Sequence, residues 1–403
     1  MSSNKKYIAL ARGFFLKELE FPCVYSTGAD ELYRVDPDGF SELCRCDGTL
    51  AEEESRFPAD FLDYCLKEGL LEELQLPVRR KIPVGRNEKP SLRYLMMEVT
   101  DRCNLSCRHC YLGEGSGRDL PFPTAVRCLD ELDDMGGLRL VVTGGEPLLY
   151  PYFGELNGLI AERTFRTVLV TNGTLIDESL ARSLHFSEVQ VSLDGMRGGH
   201  EGLRGKGSFD MALSGIEALK SAERQISVAT MIYTGNLREL DELERLVREL
   251  GAVSWTLDVP SPAGRMKNGR MKLLPELARA ARAMERAFGS EQHMPSGDYA
   301  CGAHLACVKV NGMLTKCGFY EDPTGGPVHQ GLRRAWLELP RMRLSELECE
   351  CEYLVECGGG CRFRAEQYGG LTAPDPVRCA QYGFTYCGKK NGNIKAGPIE
   401  NGQ

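Results

Sequence analysis

Residues 103–111 read CNLSCRHCY and follow an apolar run over 94–99, so three cysteines fall on the loop that leaves a strand. Cys103, Cys107 and Cys110 form a Cys-x3-Cys-x2-Cys array. Three soft thiolates can hold a [4Fe–4S] cluster and leave one iron without a protein ligand, and that open iron is where chemistry can happen. The competing readings are a zinc knuckle and buried thiols. A structural zinc site takes four protein ligands, and this loop offers three, with only His109 close enough in sequence to be a fourth.

A second bunch of cysteines lies toward the C-terminus: Cys301-x5-Cys307-x9-Cys317, then Cys349-x-Cys351-x5-Cys357-x3-Cys361, then Cys379. Its rival reading is a pair of zinc sites, but these usually use two Cys-x2-Cys knuckles, and the spacings here are irregular. The chain has seventeen cysteines in 403 residues. Bunched as they are in a large chain, they suit iron–sulfur chemistry in a reducing cytoplasm better than a disulfide framework. Cys128, in an amphipathic stretch, reads as core, as do Cys23, Cys44, Cys46 and Cys65.

The elements that must position these groups follow from apolar periodicity. Strands are expected over 94–99, 138–142, 167–171, 188–193, 225–232 and 253–257, with amphipathic helices between. The clearest helix is 237–250, where Leu240, Leu243, Val247 and Leu250 share one face. Six strand–helix units over 92–258 predict an α/β fold, a parallel sheet curled into a partial (β/α)6 barrel with its site at the strands' C-terminal ends. Motifs stand at those ends: Thr143-Gly144-Gly145-Glu146-Pro147 after the second strand, Thr171-Asn172-Gly173 after the third, Ser192-Leu193-Asp194-Gly195 after the fourth, then His200 to Gly205 with Arg204. Taken singly, Asn172-Gly173 and Asp194-Gly195 are common turns.

Together these residues resemble the radical S-adenosylmethionine (SAM) superfamily. The resemblance implies that SAM chelates the open iron, and that its reductive cleavage gives a 5′-deoxyadenosyl radical which takes a hydrogen atom from the substrate. Gly144, Gly145, Glu146 and Pro147 match the family's GGEP motif, which receives the SAM amino group; Glu146 can accept from an ammonium, and the glycines let backbone approach a ligand. Asn172, Ser192 and Asp194 match positions near the methionyl and ribose groups. Arg204 matches the arginine that pairs with the SAM carboxylate, a task guanidinium suits by meeting it at two points.

Residues 295–388 resemble the SPASM extension, which implies two auxiliary [4Fe–4S] clusters and three in all. The family's interleaved pattern assigns Cys301, Cys307, Cys317 and Cys361 to one, and Cys349, Cys351, Cys357 and Cys379 to the other. The family has Cys-x2-Cys where this chain has Cys349-x-Cys351, and Cys387 is an alternative to Cys379.

Residues 1–80 read as a separate small domain: strand-like stretches around Gly28, a helix over 38–46 ended by Asp47-Gly48, a helix over 58–67 with Phe61, Leu62, Tyr64 and Cys65 toward a core, and a final strand through Leu70, Leu71 and Leu74. The segments LCRCDGTL and FLDYCLKEGLLEEL resemble the winged-helix domain that recognises leader peptides in maturases of ribosomally made peptides; the alternative is a helical cap on the barrel. An extended leader would pair with an exposed strand edge. Residues 77–91, with Pro77, Pro83, Gly85 and Pro90, read as a linker. A bridging helix is expected over 271–289 within 259–294, and a mobile polar tail over 389–403.

Composition excludes several classes. A formal charge of −8 argues against nucleic acid as the main partner, and no apolar run approaches a membrane span. With no signal peptide recognisable at the start, a cytoplasmic enzyme is expected. The reading is a peptide maturase that abstracts hydrogen from a precursor peptide and forms a thioether or other crosslink, fed by a reductant such as flavodoxin or ferredoxin. Alternatives are a maturase of a protein side chain, as in sulfatase activation, or of a small cofactor such as haem or a quinone, and a cluster protein that only passes electrons. No catalytic acid, base or radical relay is assignable; Tyr233, Asp258, Asp298 and His304 are candidates that packing or surface roles would equally explain.

Overall fold

The computed structural model describes residues 5–267, 275–289, 297–321, 324–385 and 397–398. The chain opens with β1 (Tyr7–Leu10), β2 (Phe14–Glu18), β3 (Pro22–Ser26), β4 (Glu31–Arg34), α1 (Pro37–Leu43), β5 (Asp47–Ala51), α2 (Ala59–Lys67), β6 (Leu71–Leu74) and β7 (Val84–Arg86). β1 is the middle strand of an antiparallel sheet ordered β5-β1-β6, and a second sheet runs β4-β3-β2-β7. Asp36 starts α1 by accepting the Gly39 N–H at 2.8 Å, with Pro37 at its first position. α2 lays Leu62 and Cys65 on a core with Ile8, Leu16, Val24 and Leu43.

Four expectations here need correction, the first being Cys44, which is exposed while Cys23, Cys46 and Cys65 are buried. The first helix stops at Leu43, and Asp47-Gly48 begin β5, because the Cys46 carbonyl takes the Leu10 N–H at 2.8 Å and strand pairing replaces another helical turn. Tyr64 is 47% exposed, turned off the face that Leu62 and Cys65 bury. The 77–91 stretch is more than a linker: it contains β7, parallel to β2, and Val78 and Arg80 donate to the Gly48 and Asp47 carbonyls at 3.0 and 2.7 Å along β5.

The barrel follows as β8 (Tyr94–Thr100), α3 (Phe122–Asp134), β9 (Arg139–Gly144), α4 (Phe153–Leu159), β10 (Arg166–Thr171), α5 (Glu178–Ser183), β11 (Glu188–Ser192), α6 (Arg197–Arg204), α7 (Ser208–Ser221), β12 (Ile226–Met231), α8 (Leu240–Glu249) and β13 (Ser254–Asp258). The six strands are parallel and each pairs with its successor in sequence, as expected. Leu95, Met97, Val99, Leu140 and Val142 pack outward into the helical core, so the alternate residues Met96, Glu98, Val141 and Thr143 face the concave side.

The remainder is α9 (Leu277–Met284), β14 (Leu305–Val308), β15 (Leu314–Thr315), α10 (Leu332–Glu338), α11 (Leu354–Cys357), α12 (Arg362–Tyr368), α13 (Pro376–Gln381) and a pairing of β16 (Phe384–Thr385) with β17 (Gly397–Pro398). β14 adds parallel to the free side of β8 and extends the sheet, an element not anticipated in a segment read for its cysteines. The bridging helix is shorter than expected, and 271–274 and 290–294 lie outside the described residues. So does the 389–403 tail, apart from 397–398. Among the described residues no helix is long and apolar enough to cross a membrane.

The N-terminal unit rests on the strands' N-terminal ends. Lys17 Nζ donates to the Gly137 carbonyl at 3.1 Å and Thr164 Oγ1 at 2.8 Å, Arg166 donates to the Thr27 and Gly28 carbonyls at 3.0 and 3.1 Å, and Asp30 pairs with Arg139. The opposite, C-terminal ends carry the cysteine loop.

Candidate active site

The cysteine loop leaves β8 and is gripped from two sides. α6 accepts the Arg108 N–H at the Leu203 carbonyl, 2.8 Å, and its side chain at the Gly202 carbonyl, 3.1 Å. Beyond β13, Arg265 donates its backbone N–H to the Cys110 carbonyl at 2.9 Å and its Nη1 to the Cys107 carbonyl at 3.3 Å. Burial pushes the Cys103 thiol up and Cys107 up to about 11, and Cys103 lies within the field of Cys110, Glu146 and Arg204. Protonated thiols of this kind release protons when they bind metal.

The Gly144-Gly145 turn packs against the end of β8 and the start of the cysteine loop. Gly145 and Glu146 donate backbone N–H groups to the Thr100 and Arg102 carbonyls at 2.8 and 2.7 Å, and a Cβ on Gly145 would stand 2.3 Å from the Arg102 oxygen. The glycines therefore admit the backbone that leads into Cys103. Glu146 is fully buried: Oε1 accepts from Thr171 Oγ1 at 2.8 Å and the Leu148 N–H at 3.2 Å, and Oε2 accepts the Asn172 N–H at 2.8 Å. Burial nonetheless raises it to about 6. Its carboxylate ties the end of β9 to the end of β10. Pro147 opens a short 3-10 turn behind it.

Asn172 reaches back to the cysteine loop: Nδ2 donates to Asn104 Oδ1 at 2.9 Å and stands 4.0 Å from Cys103 Sγ. Ser192 ends β11 on the concave side, half-buried. Asp194 is buried and central. Burial opposes its charge, but Arg204, His109 and His200 hold it below the usual carboxylate range; Arg204 Nε donates to Oδ2 at 2.5 Å and the Met231 N–H to Oδ1 at 2.7 Å. Among the described residues no protein acceptor meets the terminal nitrogens of Arg204, which stays in the field of Cys103 and Cys107. The sequence offered His109 only as a fourth ligand to a zinc ion; its Nε2 lies 3.9 Å from Asp194 Oδ2, its buried Nδ1 has no partner, and burial holds its pKa down to about 4. Its place between Cys107 and Cys110 was the available signal, whereas nothing local marks Arg265.

The open candidates take structural positions. Tyr233 donates to the Gly199 carbonyl at 2.8 Å, and His304 Nδ1 sits 2.8 Å from the Ser91 carbonyl at the far end of β8. The Asp298 carbonyl accepts the Leu344 N–H at 2.8 Å. Asp258 pairs with Arg364 at 2.9 Å.

In the extension, Cys317 and Cys361, pushed up by burial to about 11 and about 12, both feel Cys301, and Cys307, wholly buried on β14, feels Cys317. Cys349, Cys351, Cys357 and Cys379 line one cavity despite the short first spacing. Cys387 lies outside the described residues. Among the described residues no three His, Cys, Asp or Glu side chains converge closely enough to hold a single metal ion. Asp375, also unforeseen, stitches the two sets together: it accepts the Cys361 N–H at 2.8 Å, caps α13, which carries Cys379, and takes two bonds from Arg364 at 2.8 and 2.9 Å. A Cβ on Gly360, at φ +68°, would stand 2.6 Å from the Asp375 Cβ.

An array of three thiols at the mouth of a parallel barrel, beside a buried guanidinium with donors to spare, suits a cluster with one open iron and a carboxylate-bearing ligand. Residues 97–250 match the model of the Radical SAM superfamily: the chain carries a radical SAM domain, which implies a [4Fe–4S] cluster and SAM. It is similar to the AdoMet-dependent heme synthase of Methanosarcina barkeri (strain Fusaro), 28% identical over 321 residues that span 68% of this chain and 92% of the relative. It is likewise similar to the mycofactocin maturase MftC of Mycobacterium tuberculosis (strain CDC 1551), 28% identical over 330 residues, 71% of this chain and 82% of that one. Its fold is that of Streptococcus suis SuiB, solved bound to precursor peptide SuiA, with a TM-score of 0.67 at 14% identity over 92% of this chain and 99% of SuiB.

Proposed function

We propose that the chain is a radical SAM maturase of the SPASM type that crosslinks a ribosomally made precursor peptide, with residues 1–80 binding the leader and 295–388 holding two auxiliary clusters. The observation that carries this reading is the extent of the likeness to SuiB, which runs through the N-terminal unit as well as the barrel and extension. Cys103, Cys107 and Cys110 would hold the first cluster, and SAM cleaved there supplies the 5′-deoxyadenosyl radical that takes hydrogen from the peptide. The chain's own residues do the rest. Arg204, anchored through Nε by Asp194, offers its terminal nitrogens to the SAM carboxylate. Glu146 and Asn172 lock the ends of β9 and β10 to the cysteine loop, and Arg265 fixes that loop from the other side. The interleaved sets of four cysteines would each close on an auxiliary cluster, leaving no open iron, so their task is to pass electrons rather than to bind a substrate thiolate. Flavodoxin or ferredoxin is the proposed electron source, in the cytoplasm.

The test is mass spectrometry of the precursor encoded beside the enzyme, coexpressed anaerobically. A loss of two hydrogens per crosslink, abolished by Cys103→Ala and by removing the leader from the precursor, supports the reading; an unchanged mass together with no exchange from heavy water overturns it. Truncating the precursor is a cleaner arm than deleting residues 1–80, since that deletion would strip Arg139 of Asp30 and Arg166 of the Thr27 and Gly28 carbonyls. The similarity to a heme synthase favours a second reading, maturation of a small tetrapyrrole. Turnover of an iron porphyrin, with the peptide untouched, would install it.

A further inference from the structure

Glu98 faces the concave side of β8 and is wholly buried. Its Oε1 receives Lys309 Nζ at 2.6 Å and the Tyr111 hydroxyl at 3.2 Å, and the Cys307 thiol lies 3.8 Å away; its Oε2 has no partner. Lys309 also donates to the Gly318 carbonyl at 2.8 Å and lies 5.7 Å from the centre of the Tyr111 ring. One charged pair is thus wedged against Cys307 itself, against the residue that follows Cys317, and against the residue that follows Cys110.

Burying such a pair is weak evidence for stability, because apolar replacements are often as stable or more so. A charge a few ångströms from a cluster in a low-dielectric interior does, however, act directly on how readily that cluster takes an electron. Lysine's charge favours the reduced form and glutamate's opposes it.

We propose that Lys309 and Glu98 are opposed charges that set the reduction potential of the cluster held by Cys301, Cys307, Cys317 and Cys361; this rests on the ligand set of the preceding section. Each crosslink removes two hydrogens from the peptide. One leaves as a hydrogen atom to 5′-deoxyadenosyl, the other as a proton to solvent plus one electron, and that electron passes to the auxiliary cluster. The pair tunes the acceptor and is a positioning element of charge.

The experiment is a potentiometric titration of the reconstituted full chain followed by electron paramagnetic resonance, with waves assigned through Cys301→Ala and Cys379→Ala. Lys309→Met should move the wave lost in Cys301→Ala to lower potential and Glu98→Gln should move it higher, with the double variant returning toward the parent and Lys309→Arg leaving it in place. Iron content at the parent level shows that the cluster is intact. Should Glu98→Gln fail to fold, the contrast between Lys309→Met and Lys309→Arg carries the test. Shifts of the same sign, no shift with the cluster present, or a shift confined to the SAM-site cluster would overturn the proposal. If Cys301→Ala removes neither iron nor a wave, it is the ligand set that fails, and this inference with it.

Discussion

At Gly145 a single missing carbon decides whether the cysteine loop can sit where it does. An added Cβ would meet the Arg102 and Asp101 carbonyl oxygens at 2.3 and 2.9 Å, and both are backbone atoms that cannot swing aside as a flexible side chain would. Gly145→Ala should therefore keep the fold by circular dichroism yet lower reconstituted iron by about four atoms per chain, one cluster's worth, and with it SAM cleavage. Retention of iron at the parent level would show that the loop relaxes freely. The Gly-Gly-Glu motif was legible as a site from its position after a strand. Its division of labour was not, because the partners of Gly145 and Glu146 come from the ends of β8 and β10, and local spacing carries no information about which carbonyl or hydroxyl lies opposite.

Among the elements, the six barrel strands were readable because each is a short apolar run between amphipathic helices, a period that survives without tertiary knowledge. β1, β5 and β14 were not, since four or five residues of mixed character become strands only through the neighbour they pair with. If residues 1–80 bind a leader as proposed, that pairing leaves one edge for it. The Ala11 N–H bonds to the Leu70 carbonyl at 3.0 Å, so the pairs Ala9 with Glu72 and Tyr7 with Leu74 are the hydrogen-bonded ones, and the N–H and C=O groups of Leu71 and Glu73 point away from β1. The far side of β5 is already lined by residues 78–80, which among the described residues leaves β6 as the open edge of that sheet. Glu73→Pro removes one outward donor and no bond to β1, and proline is tolerated at edges. It should weaken leader binding at least tenfold with the unfolding midpoint nearly unchanged, whereas Glu72→Pro should destabilise the unit itself. Calorimetry with a synthetic leader, beside thermal unfolding, separates the two; equal affinity in Glu73→Pro would move the leader to another surface.

For the whole molecule, what matters is that the N-terminal unit is fastened to the barrel by buried polar groups rather than tethered through a loop. Lys17 is the clearest case: no part of it is exposed, and burial lowers its pKa to about 8, against the nearby Asp133, which raises it. Unfolded, the same group titrates near 10.4. Between the two values the unfolded chain holds a proton that the folded chain has released, so this residue's contribution to stability rises with pH across that window and is flat below it. The gap amounts to about 3 kcal/mol. Urea unfolding of the apo chain under anaerobic conditions should therefore show the stability of the parent gaining on that of Lys17→Met by about this amount from pH 8 to 10.5. Thiols remote from Lys17 are common to both chains and drop out of the difference, and Cys23, the thiol in the field of Lys17, is pushed up by burial to about 12, above the window. A difference independent of pH would mean that Lys17 stays protonated, its ammonium held by the Gly137 carbonyl and Thr164 Oγ1 in the field of Asp133, and the N-terminal unit would then be anchored to the barrel by charge-assisted hydrogen bonds.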